Sequence, residues 1–147
     1  MNLLSLVRSK NRCLEQLRAL SEAFLCQPPE ALLDPSELSP LGEYERNRSA
    51  IFKAIELYDR KIDEAVSITS PSEMVMETRE AIRGEITRGE RLIAEVLVSD
   101  REITRRFQEA QAAIASQITQ SRQHRDKLSR FKSTWVPASG DEVDTKL

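Results

Sequence analysis

Apolar positions recur at three- and four-residue intervals almost from the first residue of the chain. Over 2–26, Leu3, Leu6, Leu14, Leu17, Leu20 and Phe24 form a stripe flanked by Val7 and Cys13, while Arg8, Arg12, Glu15, Arg18 and Glu22 largely take the other side. That period predicts an amphipathic helix. Over 40–69, Leu41, Tyr44, Ile51, Ile55, Tyr58, Ile62 and Ala65 predict a second helix, with Arg48 as the polar member of a heptad-like seam. Beyond Pro71, residues 71–132 contain no further proline. Their seam runs through Val75, Ile82, Ile86, Ile93, Val96, Ile103, Phe107, Ala110, Ile114 and Ile118, skips Arg79 and Gly89, and closes at Leu128. Asp100 also falls on it.

As one helix, that last segment would run about 60 residues and roughly 90 Å. Neither shorter helix can cover such a length. A competing reading breaks it near Ser99, where Ser99 and Glu102 fit a capping box, and gives a four-helix bundle. The absence of Gly and Pro over 98–101 favours the continuous helix. The fold class expected is therefore all-α: an antiparallel bundle or coiled coil of two shorter helices and one long C-terminal helix.

The breaks between these segments have their own chemistry. QPPEALLDPSELSP, residues 27–40, holds four of the six prolines and cannot continue a helix. Asp34 and Ser39 each precede a proline and suit helix caps, so a helical turn at 35–38 is expected, with Leu32, Leu33 and Leu38 closing one end of the core. Ser70, Pro71 and Glu73 carry all parts of a capping box and predict a very short turn between antiparallel neighbours. Pro137 and Gly140 end the last helix on this reading. A helical domain over 1–133 and a flexible tail over 134–147 follow, with Trp135, Val136 and Val143 as the tail's apolar residues.

Composition agrees with long helices rather than an aromatic-rich globule: 39 % hydrophobic, 31 % charged, and four Phe, two Tyr and one Trp. Net charge is −2, which gives no bulk reason to expect nucleic acid. The distribution is uneven, with basic residues in excess over 101–133 and acidic ones over 27–100. The cluster Arg122, Arg125, Lys127, Arg130 and Lys132 suits the C-terminal end of a helix, a protein contact, or contact with nucleic-acid phosphates. The opening MNLLSLVRSKNR lacks the layout of a signal peptide, and no apolar run reaches 18 residues, so no membrane span is expected. Cys13 and Cys26 are too far apart to bridge within one helix and read as reduced thiols.

Catalytic and cofactor chemistry finds little support. His124 is the single histidine and has no Glu-x-x-His context for a carboxylate-bridged metal pair. Neither cysteine has a ligand at zinc spacing. Four glycines build no phosphate-binding loop. Asp59 and Asp63 share a helix face, but nothing in the pattern marks a pocket around them. The expectation is a protein that is not an enzyme and takes no metal or cofactor. A long apolar stripe without a cover must meet another surface.

The opening LLSLVRSKNRCLEQLRALSEAF, the final helix ending QHRDKLSRFKSTW and the tail WVPASGDEVDTKL together resemble the flagellar type III export chaperones of the FlgN and FliT type. The resemblance covers nearly the whole chain. It implies a small helical cytoplasmic protein that holds a hook-associated, filament or filament-cap subunit before type III export, and then passes it to the export apparatus. It also implies client binding in the C-terminal helical region, through Ile114, Ile118, Leu128 and Phe131, to a C-terminal helical segment of the client. Phe131 stands where family members often carry Tyr, and the proline-rich connector departs from the family pattern. The alternative is a structural coiled-coil protein that pairs with itself and has no export role, and a homodimer is open under either reading.

Overall fold

The computed structural model describes the backbone of residues 1–36 and 38–146, and the side chains of 1–36 and 38–134. It is all-α. Helix α1 spans Leu3–Leu25, α2 Pro40–Ile68 and α3 Met76–Lys146, with short 3-10 turns at Pro29–Leu32 and Pro71–Glu73. There is no strand among the described residues. The long C-terminal helix is continuous through Ser99, which is buried within it. The chain divides into two compact units, Met1–Phe107 and Gln108–Leu147.

Local chemistry sets most of the helix ends. The Asn2 side chain accepts from the Ser5 amide at 2.8 Å and starts α1. Ser39 accepts from the Gly42 amide at 3.1 Å with Pro40 behind it, the cap expected for α2. Ser70 behaves differently from expectation. Its hydroxyl pairs with Ser72 at 2.8 Å, Pro71–Glu73 forms only a 3-10 turn, and α3 begins at Met76. Met74 at φ −84°, ψ 127° is extended, so the turn cannot run on into the helix. The connector differs as well. The helical turn forms at Pro29–Leu32, Asp34 accepts from the Ser36 amide at 3.0 Å, and only Leu32 of the three leucines is buried. The turn expected at 35–38 includes residue 37, which lies outside the described residues, as do the side chains of the expected tail, 134–147, beyond Thr134.

In the first unit α1 and α2 run antiparallel. Lys10 near the start of α1 meets Asp59 late in α2 at 2.5 Å, and Phe24 near the end of α1 stacks on Tyr44 near the start of α2, centroids 4.3 Å apart. The part of α3 in this unit runs parallel to α1: Asn11 meets Glu85, Arg18 meets Glu95, and Arg106 donates to the Leu25 carbonyl at 2.5 Å. That last bond satisfies an orphan carbonyl at the end of α1. Two apolar clusters hold the three helices. Leu14, Leu17, Ile55, Leu92 and Val96 form one, and Phe24, Leu32, Tyr44 and Ile103 the other, with Phe107 packed on its edge. The predicted α3 seam slips by one residue here. Leu92 is buried and Ile93 is open, because Leu92 lies over Leu14 and Leu17 of α1.

Both polar members of the predicted seams meet. Arg48 of α2 donates two hydrogen bonds to Asp100 of α3, at 2.9 and 2.8 Å, and a third to the Tyr44 hydroxyl at 3.1 Å. Its guanidinium also sits over the Phe52 ring at 4.9 Å. Burial works against the Arg48 charge, but the hydrogen bonds and charge of Asp100, with Tyr44 beside it, hold its pKa above the ordinary value. A forked pair at one level of the seam fixes how α2 and α3 align.

Candidate functional site

The residues expected to bind a client lie in the second unit, on α3 beyond Phe107. Ile114 is 37 % exposed, Ile118 48 %, Leu128 48 % and Phe131 67 %. At 100° per residue Ile114, Ile118 and Leu128 fall within about 80° of one another, and Phe131 lies at the edge of that face. Arg125 and Lys132 stand on the same face, with Arg122 at its edge. Ile114, Ile118, Arg122 and Arg125 line a shallow hollow along one side of the helix. Side-chain hydrogen bonds in this stretch are local, such as Thr119 to the Ala115 carbonyl at 3.0 Å and Thr134 to the Phe131 carbonyl at 2.9 Å. Helices gain most of their stability by packing an apolar face, and among the described side chains of this unit nothing packs against this one.

A second surface lies in the first unit, where the sequence pattern indicated core. Ile62 and Val66 of α2 face Ile82, Ile86 and Ile93 of α3 across a groove of about 340 Å³, floored by Val7, Asn11 and Leu14 of α1. Val66, Ile86 and Ile93 are each more than 40 % exposed. Three helices leave the fourth position of a bundle unfilled at this end. Asp59, Asp63 and Glu90 also line the groove, with Lys10, which is held by Asp59. Asp63 and Glu90 make no ion pair within the described residues. The sequence signal for the groove was present but ambiguous: seam isoleucines interleaved with carboxylates look the same whether the seam is closed or open.

The floor depends on one close approach. Gly89 packs directly against Asn11, which is 2 % exposed and donates to the Glu85 carbonyl at 2.7 Å and to its carboxylate at 2.8 Å. The sequence left Gly89 open between close helix packing and slack, and the structure shows the close packing; nothing in the sequence singled out Asn11. Around them Arg8 reaches Glu85 at 3.4 Å and Arg88 pairs with Glu15. Arg18, bonded to Glu95 at 2.6 Å, has its pKa raised by that hydrogen bond and by the Glu95 charge.

Reactive side chains do not gather at either surface. Cys13 is half-buried and burial raises its thiol pKa, whereas Cys26 is exposed. His124 is exposed on the second unit. No group of three metal-ligating side chains forms among the described residues. No helix among them is long and apolar enough to cross a membrane. No protein-family model, curated protein or solved structure matches this chain.

Proposed function

We propose that this protein is a cytoplasmic export chaperone that holds a flagellar hook-associated, filament or filament-cap subunit before type III export. The observation that carries the reading is the uncovered apolar face of α3, Ile114, Ile118 and Leu128 with Phe131 at its edge. Such a face receives an amphipathic client helix by helix-to-helix packing, with the isoleucines as anchors, Arg125 and Lys132 among them and Arg122 at the edge. Covering the client's own apolar helix keeps it monomeric, and a contact of this size releases it again. Handover would bring in a component of the export apparatus. Isothermal titration with C-terminal fragments of the host's hook-associated, filament and filament-cap proteins tests the reading. Saturable one-to-one binding to one fragment supports it. No heat with any fragment, from a chain folded by circular dichroism, refutes it.

A structural coiled-coil role without export is the second reading, favoured by the near-heptad spacing of the same face. It predicts a chain that self-associates at submicromolar concentration and binds none of the fragments.

A further inference from the structure

The α3 face and the first-unit groove have complementary patterns. The face is apolar with a cation, Arg125, set between Ile118 and Leu128. The groove is apolar with two carboxylates, Asp63 and Glu90, set among its isoleucines. A cation inside an apolar contact is costly unless an anion meets it, so Arg125 favours a receptor whose apolar lining also carries an acid. Two copies of the face laid together in parallel would oppose Arg125 to Arg125, which disfavours that pairing. The groove also has the right length. Residues 82–93 of its α3 wall span about 17 Å and Ile114–Leu128 about 21 Å, at 1.5 Å per residue.

We propose that the groove of one copy, walled by Ile62, Val66, Ile86 and Ile93 with Asp63 and Glu90, receives the basic apolar α3 face of a second copy, and that the two copies exchange this contact reciprocally. The incoming helix completes a four-helix arrangement. It covers on each copy both the groove and the stripe that are otherwise open to water. The inference concerns the chain without a client; because both use the same α3 face, the second copy and a client helix exclude one another.

The test is a charge-swapped pair of full-length chains, weighed by light scattering across low micromolar concentrations without client. One carries Asp63→Lys and Glu90→Lys; the other carries Arg122→Glu and Arg125→Glu. All four positions are exposed, so both chains should keep the wild-type helical signal. The wild type is expected at the mass of two chains, and each variant alone at 16.7 kDa or with at least a tenfold weaker dimer. In the mixture both contacts become complementary, a lysine groove against a glutamate helix and the wild-type groove against the wild-type helix. The mixture is therefore expected to return to the mass of two chains. A groove variant that dimerises as well as the wild type overturns the proposal, because the helices would then be pairing without the groove. A monomeric wild type, or a mixture that stays monomeric, overturns it as well.

Discussion

Two glycines on α3 should respond to the same substitution with opposite sign. Replacing a helical glycine by alanine gains about 0.5–1 kcal/mol from backbone entropy alone. At Gly84 a Cβ would meet nothing within 4 Å, so Gly84→Ala should keep that gain. For a chain of this size that is a rise in Tm of about 1–4 °C. At Gly89 the Cβ would lie 2.7 Å from the Asn11 Oδ1, too close for either atom. Asn11 must then move, and its two bonds to Glu85 go with it. One is neutral, worth about 1 kcal/mol, and the other is to a carboxylate, worth about 1.5–3 kcal/mol. Set against the backbone gain, Gly89→Ala should lose about 1.5–3.5 kcal/mol. Urea unfolding followed by far-ultraviolet circular dichroism measures both, and Asn11→Ala completes a double-mutant cycle. Once Asn11 is alanine, the cost of Gly89→Ala should vanish. If Gly89→Ala stabilises the protein as much as Gly84→Ala, the close approach of α1 and α3 at the groove floor is wrong.

Ser21 is fully buried and its hydroxyl has no partner, so Ser21→Ala should stabilise by about 1 kcal/mol in the same unfolding assay. Asp100→Ala leaves the Arg48 guanidinium half-buried without its carboxylate and should cost about 1–3 kcal/mol; combining it with Arg48→Met should recover much of the loss. Hydrogen bonds from Arg105, then from Arg106, hold the Glu102 carboxyl down at about 2, below its usual 4.5. A depressed carboxylate stabilises the fold fully above its unfolded value and loses that contribution as pH falls through the folded one. Acid titration of stability should therefore show a slope between about pH 4.5 and 2 that Glu102→Gln reduces.

The fold was legible because the helical period is strong and its interruptions are chemically sharp. Ser39 and Pro40 announced the start of α2, and Arg48 and Asp100, the polar residues on two apolar seams, turned out to be each other's partner. What stayed hidden depended on three-dimensional supply rather than on pattern. A seam isoleucine such as Ile86 is core if a fourth helix covers it and groove if none does, and the period is identical in both cases. Ser70 had every residue of a capping box, but the extended backbone at Met74 delayed the helix to Met76. Leu92 displaced Ile93 from the core because α1 approaches α3 closely at Gly89, a contact between residues more than seventy apart in sequence. Ile114, Ile118, Leu128 and Phe131 were legible as apolar positions from the helical period alone, and each is exposed.

The central claim is that the α3 face binds a client helix, and one titration tests it directly. The host's hook-associated, filament and filament-cap fragments are titrated into the wild type, Phe131→Ala and Ile118→Asp, each shown folded by circular dichroism. The account predicts saturable one-to-one binding of one fragment to the wild type, weakened by Phe131→Ala and abolished by Ile118→Asp while the helical signal is retained. Binding that is unchanged in both variants, or absent from the folded wild type for every fragment, would contradict it.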